Sequence, residues 1–244
     1  MRLFLISIFI FSFIILEAQE KVTFSAKDGL QITADLYEID PAKPYILLFH
    51  QAGSSRGEYK QIANKFLKFG YNSLAVDLRS GGEENYIQNH TALLAVQQGY
   101  SCDYLSSKKD IEAAIKWVKE RNGKPVVLLG SSFSASLSLL IAKDNPDVKA
   151  VIAFSPGEFF TPKLTIQSSI KDLGKPVFVA SSHRESPYID TLLTYVSEEN
   201  KTTYAPSEGG EHGSKSLWKS NPNNQEYWLA LTMFFSKINR MHRR

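Results

Sequence analysis

Five residues near the middle of the chain, Gly130-Ser131-Ser132-Phe133-Ser134, follow directly on the apolar run 126–129 and lead into a helix-like stretch. A serine at the centre of a G-x-S-x-G turn between a strand and a helix has its hydroxyl exposed as a nucleophile, and small flanking residues let the backbone pass through so sharp a turn. The pattern here is G-x-S-x-S. Its spacing selects Ser132 from a group that also contains Ser131, Ser134, Ser136 and Ser138. A serine N-cap gives the same local pattern without chemistry, so partners elsewhere in the chain must decide.

A serine that attacks an acyl group needs a base, an acid that orients the base, and N–H donors for the oxyanion. The expected chain order is serine, acid, histidine. His212, in Gly209-Gly210-Glu211-His212-Gly213, lies close before the last helical pattern, and its glycines leave the ring free to swing toward Ser132. His90, His183 and His242 have weaker contexts. The acid is expected in Ser181-Ser182-His183-Arg184-Glu185-Ser186-Pro187, after the apolar run 177–180. Glu185 is the first carboxylate there. Asp190 is the alternative, placed beyond Pro187, a residue suited to open a helix. One oxyanion donor is the N–H of Phe133, the residue after the nucleophile. The second is expected in His50-Gln51-Ala52-Gly53-Ser54-Ser55, with Ala52 preferred and Gln51 the alternative. Such a donor is typically worth about 3 kcal/mol. His50 reads as the residue that holds this loop.

These residues need rigid elements beneath them. Segments 22–26 and 30–39 alternate around Asp28-Gly29, which predicts a hairpin. Five apolar runs follow, at 45–49, 73–76, 126–129, 150–154 and 177–180, and runs this apolar suit parallel strands covered on both faces. Helical patterns span 58–69, 109–120, 135–143 and 225–238, the last with Tyr227, Trp228, Leu231, Phe234 and Phe235 on one stripe. The alternation predicts one α/β domain with a doubly wound, mostly parallel sheet and an N-terminal antiparallel hairpin. Residues 80–107 make a long connection, expected to form a small lid and, with 155–172, to shape the pocket.

Residues 1–19 pair Arg2 with an apolar run from Leu3 to Leu16, the pattern of a cleaved signal peptide. That run is short for a membrane span of roughly 20 residues, so the expected mature domain, 20–244, carries no stable span and is exported, periplasmic or secreted. An uncleaved anchor is the other reading. The net charge is +3, which makes no case for nucleic acid. The single cysteine, Cys102, forms no internal disulfide and reads as an inert thiol. There is no Cys/His ligand cluster and no G-x-G-x-x-G, so no metal or cofactor is implied and the partner is a small-molecule acyl substrate.

Taken in order, Phe49-His50-Gln51-Ala52-Gly53, Asp77-Leu78-Arg79-Ser80-Gly81, the turn at Ser132 and Gly210-Glu211-His212-Gly213 resemble the α/β-hydrolase superfamily, in particular its dienelactone-hydrolase-like branch. The resemblance covers roughly 22–238. It implies a serine hydrolase that cleaves carboxylic esters through Ser132, His212 and Glu185, with peptidase and thioesterase chemistry on the same site as alternatives; the signal-peptide pattern adds export. It also implies that Arg79 ties loops near the site. Three departures stand out. Ser134 replaces the last glycine of the turn, which implies strain there. The acid loop lacks G-x-x-D. Dienelactone hydrolases proper carry cysteine where this chain has Ser132, which argues against that particular activity. A binding protein that keeps the fold without the chemistry is the competing class.

Overall fold

The computed structural model describes residues 19–241. The signal peptide expected over 1–19 lies outside the described residues, apart from Gln19, which opens the first strand, and so does His242.

In chain order the elements are β1 (Gln19–Ser25), β2 (Gln31–Tyr37), β3 (Tyr45–Phe49), α1 (Ala63–Leu67), β4 (Asn72–Val76), β5 (Glu83–Glu84), β6 (Ile87–Gln88), α2 (His90–Gln97), α3 (Lys108–Asn122), β7 (Val126–Ser131), α4 (Phe133–Asp144), β8 (Val148–Phe154), α5 (Ile166–Ser169), β9 (Val177–Ala180), α6 (Ser186–Leu192), β10 (Lys201–Tyr204) and α7 (Asn224–Met241). Eight strands form one sheet in the order β1-β2-β4-β3-β7-β8-β9-β10. The pairs β1–β2 and β2–β4 are antiparallel and all others are parallel. This is the α/β architecture that the sequence pattern predicts, hairpin included.

Strands β3, β4 and β7 are buried along their whole length, because helices cover both faces of the sheet. Leu47 and Phe49 of β3 face a core shared with Ile111, Val118, Leu137 and Ile141 of α3 and α4. Ile46 and Leu48 point the other way, toward Phe66 of α1 and Leu231, Phe234 and Phe235 of α7. From β3 the chain crosses to β4 on one side and later to β7 on the other. The carboxyl ends of β3 and β7 therefore meet at a topological switch point, where open α/β sheets place their ligands.

Three elements depart from the sequence reading. The helix expected over 58–69 is split into a 3₁₀ turn, Arg56–Tyr59, and a short α1. The turn's polar groups have buried partners that a continuous helix would not reach: Arg56 Nη1 lies 2.6 Å from Asp77 and its Nε 3.0 Å from Asp35. The polar segment Lys201–Tyr204 forms the edge strand β10, paired only with β9. Residues 80–107 form the β5–β6 hairpin, α2 and a 3₁₀ turn, and they are sewn to the sheet. Asn89 caps α2 by accepting the Ala92 N–H at 2.7 Å, and Thr91 Oγ1 accepts the Thr33 N–H of β2 at 2.9 Å.

Arg79, just past the end of β4, is buried and bonds two carboxylates: Nη1 to Asp28 of the β1–β2 turn and Nη2 to Asp110 of α3, both at 2.7 Å. It joins the hairpin, the sheet and α3. Because Asp110 is wholly buried, removing its cation leaves an unpaired buried charge. Arg79→Ala is expected to destabilise the protein by about 3–5 kcal/mol, read from urea denaturation followed by circular dichroism. A loss below about 1 kcal/mol would show that the ion cluster is dispensable.

Candidate active site

Strand β7 ends at Ser131 and α4 begins at Phe133, so Ser132 alone makes the turn. It does so at φ 59° and ψ −122°, a conformation that costs a non-glycine residue of order 1–3 kcal/mol and persists only where surroundings enforce it. The enforcement is visible. The Ser132 N–H donates to the Phe154 carbonyl of β8 at 2.8 Å. Gly130 packs so closely under α4 that a Cβ there would lie 2.4 Å from the Ser134 carbonyl oxygen. Ser134, which stands where the last glycine was expected, does not carry the strain: it is an ordinary residue of α4. Its buried hydroxyl donates to the Phe49 carbonyl of β3 at 2.7 Å and accepts the Ser131 N–H at 2.9 Å. The side chain that breaks the pattern fastens the turn to the neighbouring strand.

His212 Nε2 lies 2.9 Å from Ser132 Oγ, and His212 Nδ1 lies 2.5 Å from Glu185 Oε1. A carboxylate accepts, so Nδ1 carries the hydrogen and Nε2 turns its lone pair to the serine hydroxyl. The second carboxylate oxygen, Oε2, accepts from Ser155 Oγ at 2.8 Å and from the Ser182 N–H and Oγ at 2.9 Å each. Ser182 and Glu185 form a capping box around the 3₁₀ turn His183–Glu185. Asp190 is exposed in α6, and its carboxylate has no bond to His212.

Burial by itself would raise the Glu185 pKa, but the bonds from His212, Ser182 and Ser155 outweigh it and hold the group down at about 2. The same contact works in reverse on the base. The hydrogen bond to Glu185 raises the His212 pKa above 6.5, and desolvation opposes it only in part.

The base loop is pinned rather than free to swing. Gly213 N–H donates to Ser155 Oγ at 3.0 Å, Ser214 N–H to Ser131 Oγ at 2.9 Å, and His183 N–H to the Gly209 carbonyl at 2.9 Å. Gly213 has φ 72°, and a Cβ on it would meet Ser131 Oγ at 2.4 Å. The ring therefore reaches Ser132 along a fixed path.

Of the two oxyanion alternatives, Gln51 is corrected. Its N–H is already taken by Glu58 Oε2 at 2.9 Å. Ala52 lies inside a turn closed by Ser54 N–H on the Gln51 carbonyl at 3.2 Å, and its own N–H is not used in closing it. No acceptor among the described residues takes it. Phe133 N–H lies in the first turn of α4, where amides have no intrahelical acceptor. His50 holds this loop: Nδ1 donates to the Gln51 carbonyl at 2.8 Å, and Nε2 accepts the Leu78 N–H at 2.9 Å.

Three residues of this arrangement escaped the sequence reading. Ser155, at φ 49°, bridges Glu185 and the base loop. Ser182 holds the acid, and its S-x-x-E spacing to Glu185 was a legible signal. Glu58 joins the oxyanion and base loops through bonds that only the fold creates. Among the described residues no group of three or more His, Cys, Asp or Glu side chains could hold a metal ion. No helix among them is long and apolar enough to cross a membrane.

The family model of the dienelactone hydrolase family matches residues 32–203. The chain belongs to that family, and the hydrolase class follows from it. Solved structures agree in fold. An esterase from Pyrococcus furiosus superposes with TM-score 0.67 at 16% identity, over 90% of this chain and 92% of that one. An α/β hydrolase from Penicillium sp. sh18 gives 0.68 at 14%, over 90% and 98%. A dienelactone hydrolase from Anabaena variabilis gives 0.64 at 17%, over 88% and 94%. No curated protein sequence matches the chain.

The charge on Glu185 should be legible at His212 without any substrate. The carboxylate favours the imidazolium, so in NMR titration His212 is expected to titrate above its ordinary value. In Glu185→Gln the imidazole should titrate lower. An unmoved titration would mean that the 2.5 Å contact does not set the state of the ring.

Proposed function

We propose that the protein is an exported serine hydrolase that cleaves small carboxylic esters through Ser132, His212 and Glu185. The observation that carries this reading is the unbroken donor–acceptor chain from Ser132 Oγ through both ring nitrogens of His212 to a carboxylate saturated with hydrogen bonds. In the mechanism, His212 Nε2 takes the proton of Ser132 as Oγ attacks the acyl carbon. The resulting imidazolium is stabilised by Glu185, whose low pKa keeps it ionised throughout. The N–H groups of Ala52 and Phe133 take the negative charge on the former carbonyl oxygen. His212 then protonates the leaving alcohol, and water, activated by the same histidine, releases the acid from Ser132.

The size of the substrate is read from the neighbourhood. The Tyr104 ring stacks on Phe133 at a centroid distance of 4.5 Å. Tyr104 also walls a cavity of about 200 Å³ that is lined by Leu105, Phe159, Phe160 and Pro162 together with the polar Asp103, Thr161 and Lys163. If this cavity takes the acyl or aryl group, its volume, below the roughly 300–1,000 Å³ of pockets for drug-sized ligands, favours a short group over a long lipid chain. Segments 80–107 and 155–172 supply these walls.

The mature protein is expected to hydrolyse p-nitrophenyl acetate and to take a fluorophosphonate label on Ser132. Ser132→Ala should lower kcat by at least about 10³-fold and abolish labelling, while Ser131→Ala and Ser134→Ala keep measurable activity. Glu185→Gln should lose about 10²–10⁴-fold, and Asp190→Asn much less. A folded, unlabelled and inactive wild type would favour the binding-protein class instead. Export predicts that protein from the native host begins near residue 20, as read by N-terminal sequencing. An intact Met1 in the membrane fraction would favour the anchor.

A further inference from the structure

The carboxylate of Glu58 is completely buried, and the reaction steps proposed above give it no part. Its two oxygens reach two different loops. Oε2 accepts the N–H of Gln51, the residue before Ala52, at 2.9 Å. Oε1 accepts the hydroxyl of Ser214, two residues after His212, at 2.5 Å. Its backbone carbonyl takes the Trp218 indole N–H at 2.9 Å, which holds the far end of the same base loop. Ser214 in turn bonds Ser131 in the nucleophile turn through its N–H at 2.9 Å.

Neighbouring cations are committed elsewhere: Arg56 to Asp35 and Asp77, Lys215 to Glu84. Among the described residues no lysine or arginine pairs with Glu58. Tyr59 beside it stays neutral and donates to the Phe49 carbonyl at 2.7 Å. Of the titratable groups around Glu58 — Tyr59, His212 with Glu185 behind it, and the outlying Lys215–Glu84 pair — only His212 gains a charge during the proposed reaction. A buried carboxylate acts on such a charge through protein rather than water, where Coulomb interactions are several times stronger.

We propose that Glu58 is a positioning residue that acts in two ways. It locks the Ala52 loop to the His212 loop, and its buried charge stabilises the imidazolium that forms as Ser132 attacks. The inference rests on the serine hydrolase reading. Glu58 adds to Glu185 in raising the His212 pKa, which agrees with the geometry.

Three variants separate the clamp from the charge. Glu58→Gln keeps the clamp, since its amide oxygen can accept from Gln51 N–H while its NH₂ donates to the Ser214 hydroxyl, but it removes the charge. Glu58→Asp keeps the charge and shortens the reach. Glu58→Ala removes both. Each is measured with p-nitrophenyl acetate for kcat, KM and the pH profile of kcat/KM, alongside His212 NMR titration and thermal melting. Glu58→Gln is expected to lower kcat about 10-fold, the factor that one pKa unit represents, with KM little changed. The acid limb and the His212 titration should both move to lower pH. Glu58→Asp should lower kcat while leaving the limb near its wild-type position. Glu58→Ala should lose about 10²-fold, as expected when a catalytic group is misplaced by about 1 Å.

An unmoved limb and an unmoved His212 titration in Glu58→Gln would overturn the proposal, even if kcat falls. If Glu58→Gln does not fold, a limb displaced to lower pH in Glu58→Asp would overturn it equally. Failure of the hydrolase reading looks different: wild type would show no turnover and no fluorophosphonate label, while the His212 titration would still report on Glu58.

Discussion

Everything about the site follows from the backbone of one residue, Ser132, held at positive φ. A nucleophile on a regular strand or helix would lie in the packing between elements. A one-residue turn between them presents the hydroxyl where three loops converge, and the strain is the condition for that presentation. The turn is therefore surrounded by restraints. Gly130 allows α4 to press against β7, the Phe154 carbonyl fixes the Ser132 amide, and Ser134 ties the helix to β3. A serine in place of glycine at 134 is thus a different way of making the same joint.

The electrostatics extend outward from that point in one direction. In the proposed reaction Ser132 needs a base with a free Nε2, and that requires an acceptor on Nδ1. The acceptor has to remain ionised while half withdrawn from water. Glu185 meets this demand because both its oxygens are filled with donors. Ser155 gives its hydrogen to the acid and receives the amide of Gly213, so one hydroxyl holds acid and base in register. These bonds hold the two loops to one another, which suits the proposed mechanism, one that depends on prepositioned dipoles.

Behind the loops lies a second set of buried charges. Arg79 connects Asp28 with Asp110, and Arg56 connects Asp35 with Asp77. Each arginine joins elements distant in sequence. Such pairs add little net stability compared with apolar packing, since desolvation offsets much of the attraction. Those of Arg56 do tie β2 and the segment after β4 to the 3₁₀ turn at Arg56, which follows the 50–55 loop. Asp77 shows the linkage directly: it accepts the Arg56 amide at 2.8 Å and the His90 amide at 2.8 Å, joining the 3₁₀ turn to α2.

Short-range patterns sufficed for the parallel strands, the hairpin and the main helices, because these depend on local periodicity, and order along the chain was enough to name Ser132, Glu185 and His212 as candidates, which the fold brings within hydrogen-bonding distance. Strand β10 was invisible, since an edge strand needs only one apolar neighbour and its residues are polar. The split helix at Arg56–Tyr59 was invisible too, because its polar side chains have partners 7 to 156 residues away. The sequence preferred Ala52 to Gln51 as the candidate donor but held no sign of the Glu58 carboxylate that occupies the Gln51 amide. Read alone, the chain supplies a set of chemically able residues in a particular order on an α/β scaffold. Which of their hydrogen bonds were already taken was settled by the tertiary fold, because a donor or acceptor is spent on whatever the fold brings within about 3 Å of it, and that distance is not written along the chain.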